Sequence, residues 1–174
     1  MHFFEYYNEN IVKYDLINKF RHKNLKKIPK LQFVSLRFKF RNYDLKLLVA
    51  ALAALELITS QKGTLLTSKV SSVSLKIRKG QPIGCKVIIR GEKMRLFLTK
   101  LINKITLKRS STKSKVRFEH NIFSFKISNV LIFNELEKNY QFFKNLKGLD
   151  ISFITTKSCY KSFIFLMRSY KIEA

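Results

Sequence analysis

Residues 76–94, KIRKGQPIGCKVIIRGEKM, hold three of the chain's five glycines and one of its two prolines, beside six Lys or Arg and a single acid. Within this stretch Cys85 to Arg90 alternates: Cys85, Val87 and Ile89 point one way and Lys86, Ile88 and Arg90 the other, the period of a strand. Gly80 and Pro82 mark a turn ahead of it, Gly84 lets the chain re-enter a sheet, and Gly91 separates strand from helix. Glu92 suits the first turn of that helix, and Met94, Phe97, Leu98, Leu101, Ile102 and Ile105 form its buried stripe. A sheet with one apolar and one cationic face, joined directly to an amphipathic helix, is the unit from which the rest is read.

The same pattern recurs upstream. In LQFVSLRFKFR, residues 31–41, Leu36, Phe38 and Phe40 face one side and Arg37, Lys39 and Arg41 the other. Asp44 to Thr59 is predicted as a helix opened by the capping residues 42–44 and rich in Ala and Leu. Before these, Phe3 to Phe20 has helical spacing, with Tyr7, Ile11, Tyr14 and Leu16–Ile17 on one side. Short strands are expected at Leu65–Thr67 and Val70–Ile77, longer ones at Ile122–Phe133 and Leu149–Thr156, and a last helix at Ser158–Tyr170. Leu136–Leu146 between the long strands reads as helical or looped. Lys108 to Arg117, KRSSTKSKVR, lacks apolar periodicity and reads as a basic arm. The expected fold is α+β, an antiparallel sheet with helices packed on one face and a cationic surface on the other. Residues 1–174 are expected to form a single domain carrying a basic loop at 73–82 and the basic arm at 108–117.

Charge narrows the function. Thirty-five Lys plus Arg against eleven Asp plus Glu give a net charge of +24, a self-repulsion best relieved by a polyanion. From Leu16 to Phe118 the chain has 26 basic residues and three acids, whereas Glu119 to Ala174 has eight and five, so the anion meets the first two thirds. Enzyme chemistry has little to draw on. His2, His22 and His120 are scattered, Cys85 and Cys159 have no metal-ligand spacing, and GQPIGCK departs from a phosphate-binding GxxxxGK[ST] loop. Glu135 and Glu137 read as a solvated pair, not a catalytic dyad, and the Phe-rich runs read as core because their Phe alternate away from the charges. LLVAALAALELI from Leu47 is too short to span a bilayer and carries Glu56. MHFFEYYNEN is neither a signal peptide nor an Arg-rich presequence, which leaves a protein that stays where it is made or one already processed. The bias towards Lys, Asn, Ile and Phe is that of an AT-rich genome.

At residues 76–94 followed by FLTKLI, the chain closely resembles the ribosomal protein L5 family, large-subunit proteins that bind 5S ribosomal RNA. The likeness extends to YYNENIV, IPKLQFVSL, ALELITSQK, FSFKISNVLIF and LKGLDISFITT, covering roughly Glu5 to Thr156. It implies a non-enzymatic, cofactor-free and metal-free constituent of the large subunit. Its RNA-binding residues would be Arg37, Lys39, Arg41, Gln61, Lys62, Lys86 and Arg90. The loop Val73 to Pro82, with Lys76, Arg78, Lys79, Gly80 and Gln81, would face P-site tRNA. Further implied partners are 5S and large-subunit ribosomal RNA, other ribosomal proteins and the small-subunit head. The sequence departs from the family at Ser74–Leu75, at KVRFEHNI and LKRSSTKSKVR, and at Arg37 and Ile88. The composition and the resemblance together point to a mitochondrial ribosome in the matrix and an organelle-encoded chain. The alternative is a cationic peripheral membrane protein or a general nucleic-acid-binding protein, without membrane insertion.

Overall fold

The computed structural model describes residues 3–21, 24, 28–40, 44–74, 76–107, 117–119, 121–156 and 160–170. Arg41, Cys159, the three histidines and residues 108–116 of the basic arm lie outside them. The fold is α+β, with a six-stranded antiparallel sheet in the order β2-β3-β1-β6-β5-β4. The strands are β1 (Leu31–Lys39), β2 (Thr64–Thr67), β3 (Pro82–Ile89), β4 (Arg117–Glu119), β5 (Ile122–Asn129) and β6 (Lys147–Thr155). The helices are α1 (Phe3–Tyr7), α2 (Lys13–Phe20), α3 (Leu45–Thr59), α4 (Gly91–Leu107), α5 (Asn134–Glu137), α6 (Tyr140–Phe143) and α7 (Tyr160–Ser169). The chain divides into two compact units, Met1–Val34, Arg90–Ser124 and Ser152–Ala174 in the first, Ser35–Ile89 and Phe125–Ile151 in the second.

In the first unit α1 and α2 are joined by a π-helical turn, Asn8–Val12. This turn corrects the expected apolar side: Phe4, Val12 and Leu16 are buried, whereas Ile11 and Tyr14 are exposed. A π turn spends an extra residue per revolution and so rotates everything before it relative to everything after it. Tyr7 Oη donates to the Ser169 carbonyl at 3.1 Å, and Phe4 packs on Tyr170, tying the N-terminal helices to α7. Helix α4 buries Met94, Phe97, Leu98 and Leu101, as its spacing predicts; Ile102 is only half-buried, and the Ile105 side chain lies outside the described ones. Arg117 opens β4 and so is not part of an arm: Phe118 pairs with Phe123 in antiparallel register. Phe118, Phe123 and Phe163 meet edge to face, with ring centroids 4.9–6.5 Å apart. Such edge contacts add to the burial energy of the rings.

In the second unit Asp44 caps α3 by accepting from the Lys46 amide at 2.9 Å. The helix packs on β3, and α5 and α6 pack against it in turn; Leu48, Ala51, Ala54, Leu55 and Ile58 are buried. The stretch 136–146 thus holds the short helix α6 and the end of α5. Strand β5 stops at Asn129, four residues before its expected end, because the Asn129 side chain accepts from the Leu131 amide and starts a turn of 3-10 helix, Val130–Ile132. The strand expected at Val70–Ile77 does not form among the described residues; there the chain makes a two-armed hairpin excursion between β2 and β3. Its arms pair with one another through Ser72 and Ile77.

Candidate nucleic-acid interface

The second unit brings β1 and β3 side by side, and each divides its side chains between two environments. Leu36 and Phe38 of β1 are fully buried, as are Cys85, Val87 and Ile89 of β3. The alternate positions carry Arg37 and Lys86, both half-exposed, and Lys39, exposed. The pleat sends these cations away from the core, as the spacing predicts. Phe40, expected inside, is half-exposed and stacks on Phe38 with rings 4° from parallel.

The close pairing of β1 and β3 rests on Gly84. A Cβ there would collide with the Phe38 carbonyl oxygen and lie 3.3 Å from the Lys39 Cα. The Phe40 amide donates to the Ile83 carbonyl at 2.9 Å beside it. Gly84 therefore serves backbone approach within the sheet, and only glycine permits it.

Gln61 and Lys62 follow α3. Lys62 is exposed, but the Gln61 side-chain amide donates to the Ile88 carbonyl at 3.1 Å. That carbonyl lies beyond Lys86, where the pairing with β2 begins at Thr64. Gln61 thus satisfies a backbone group at a strand edge, a structural duty that spacing could not reveal. Cys85 is a buried free thiol; burial pushes its pKa up to about 12, only partly opposed by a hydrogen bond with the Phe38 backbone.

The tRNA-facing loop expected over Val73 to Pro82 falls on a hairpin from Ser68 to Gln81, and Pro82 opens β3 instead of belonging to the loop. Its base is closed by Ser68 N to Gln81 O and Gly80 N to Ser68 O, both 2.9 Å, and its middle by paired bonds between Ser72 and Ile77. Gly80, at φ +84°, is the third residue of the turn in which Gln81 N donates to Arg78 O. That turn lies at the base. The tip is instead the turn closed by Lys76 N donating to Val73 O, with Lys76 at φ +52°. Lys76 is therefore at the tip, while Arg78 and Lys79 sit lower on the returning arm, all three exposed. Gln81 is engaged at the base, its side-chain oxygen accepting from the Arg78 amide at 3.0 Å. Val73 is 95% exposed, an apolar point on a cationic hairpin.

Arg90 belongs to the first unit, where its guanidinium lies over the Phe33 ring, 5.0 Å from the centroid. Sequence reasoning missed Phe33, whose neighbour Val34 is fully buried while Phe33 itself is half-exposed. It also missed Lys126, exposed on β5, whose side chain crosses Gly148 so closely that a Cβ there would strike it. Strict alternation with buried Phe125 and Ile127 was the available signal for Lys126.

Among the described residues no group of three or more His, Cys, Asp or Glu could hold a metal ion, and no helix is long and apolar enough to cross a membrane. A cavity of about 270 Å³ in the first unit is lined by Phe4, Leu16, Met94, Leu166 and Tyr170, with an Arg95–Glu5 ion pair in its wall. Burial pushes the Tyr170 phenol well above its ordinary pKa, against a hydrogen bond from Asn8 that lowers it.

Residues 82–173 match the model of the ribosomal L5 family C-terminus. Over 170 residues the chain is 35% identical to the large ribosomal subunit protein uL5m of Reclinomonas americana, covering 94% of this chain and 93% of that protein. It is 34% identical over 160 residues to the uL5 protein of Borreliella afzelii, covering 88% and 86% of the two chains. With the uL5 protein of Wigglesworthia glossinidia brevipalpis it shares 33% identity over 178 residues, 98% and 97% of each.

Proposed function

The chain belongs to the L5 family of ribosomal proteins, structural and non-enzymatic constituents of the large subunit, and from that premise we propose that it binds ribosomal RNA through its cationic strand face. The observation that carries this reading is the division of β1 and β3 into a fully buried apolar side and a side bearing Arg37, Lys39 and Lys86. Cations held on a pleated surface keep a fixed spacing, so they meet successive phosphates without ordering a loop first. Lys62, Arg90 and Arg41 add to the same RNA, with Gln61 holding the strand edge. The RNA is 5S ribosomal RNA or its neighbourhood in the large subunit.

The hairpin from Ser68 to Gln81 serves a different partner. Its exposed cations Lys76, Arg78 and Lys79 flank an apolar tip, a surface suited to P-site tRNA, with Gly80 and Gln81 shaping the base. The small-subunit head is a further contact of the assembled protein. The likeness to a mitochondrial relative supports a place in a mitochondrial ribosome, in the matrix, with the gene in the organelle. The test is purification of the intact ribosome with sequencing of the RNA crosslinked to this chain. Crosslinks at 5S or neighbouring large-subunit RNA support the reading; a chain recovered with liposomes and without RNA refutes it.

A further inference from the structure

We propose that Phe33 and Arg90 form a stacking shelf for one unpaired base of ribosomal RNA, Phe33 holding the guanidinium flat and Arg90 offering its outer face to the base. The inference rests on the RNA-binding reading above and assigns Arg90 a role other than a phosphate contact.

The geometry is specific. Arg90 leaves the end of β3 exposed, and its guanidinium carbon lies 5.0 Å from the Phe33 centroid, inside the roughly 6 Å reach of a cation–π contact. A guanidinium is a plane with two faces, and in the shelf Phe33, the ring beneath it, serves one of them. The other stays available, and a plane already held against a ring loses little freedom when a base stacks on it. Unpaired RNA bases are recognised by stacking on aromatic rings and on Arg planes.

A phosphate contact needs only the charge, and an exposed Lys would supply it without a ring beneath. Phe33 gives the pairing a purpose that charge alone does not. The other aromatic residues of β1 and its exit are placed differently: Phe38 is fully buried, and Phe40 is stacked on Phe38. Phe33 is the ring of this strand that meets a cation, and its half exposure leaves the edge of the shelf accessible.

The experiment measures affinity of the full chain for two probes across a salt series: a short oligoadenylate, and a blunt RNA duplex of the same length whose bases are all paired. Phe33→Leu and Arg90→Lys should each weaken oligoadenylate binding about five- to hundredfold, the range expected for one lost base stack. Neither should change the salt slope, because neither removes a charge. Duplex binding should stay as in the parent, and Phe33→Tyr should restore oligoadenylate binding. Equal affinity of Phe33→Leu and parent for oligoadenylate overturns the shelf while leaving RNA binding intact. Equal losses on both probes, or loss in Phe33→Tyr as well, overturn it too, since they mark a damaged fold. A parent that binds neither probe refutes the RNA reading itself and the shelf with it.

Discussion

The carbonyl oxygen of Phe38 occupies the space into which a Cβ on Gly84 would project, with the Phe38 carbonyl carbon 3.2 Å and the Lys39 Cα 3.3 Å from the same point. These are backbone atoms of the neighbouring strand, so they cannot swing aside as a side chain would.

Gly84→Ala should therefore destabilise the protein by about 1–3 kcal/mol, the cost of overpacking a site that cannot relax freely. Urea unfolding of parent and variant measures it. A change under about 0.5 kcal/mol would show that β1 and β3 separate at little cost.

Replacing Arg37, Lys39 and Lys86 together by Gln should lower RNA affinity, and any fall in the unfolding midpoint should come from Arg37, whose Nε is buried, and not from Lys39 or Lys86. Each lost phosphate contact removes about 0.7–0.9 from the slope of log affinity against log salt, so the triple variant should lose about two to three. An unchanged slope would assign RNA binding to other cations.

Replacing residues 69–80 by Asn-Gly should leave the sheet folded, since Ser68 and Gln81 already form a bonded pair and Asn-Gly closes such a pair readily. Ribosomes carrying the shortened chain should assemble and then retain P-site tRNA poorly. Failure to assemble, or normal tRNA retention, would make the hairpin an anchor on ribosomal RNA.

Alkaline pH should destabilise the fold through Cys85. Unfolded, its thiol ionises near 9.0; folded, it stays protonated up to about 12. Between those values the unfolded state binds fewer protons, so the contribution of Cys85 is complete below about pH 9 and is lost as pH rises towards 12. Urea midpoints at rising pH should fall less steeply for Cys85→Ala than for the parent. Tyr170 is present in both proteins, so the difference isolates Cys85. Parallel curves would mean that the native thiol ionises as freely as the unfolded one.

What the amino-acid sequence determined by itself is what neighbours two or four positions apart can settle. Leu36 and Phe38 against Arg37 and Lys39, Cys85, Val87 and Ile89 against Lys86, and Met94, Phe97, Leu98 and Leu101 along α4 all follow from the period of a strand or helix. The family was legible for a related reason, the retention of a run, residues 76–94, whose turn, strand and helix residues depend on one another. Tertiary structure alone decided the rest. The π turn at Asn8–Val12 shifts which side of the N-terminal helices is buried, and no local spacing announces it. The turn at Gly80 became the base of a hairpin whose tip lies at Val73 and Lys76, because Ser68 pairs with Gln81. Gly84 against Phe38, Gln61 on Ile88 and Phe33 beneath Arg90 join residues far apart in sequence. Such contacts depend on which strands lie side by side and in what register, and register is set by the packed core as a whole.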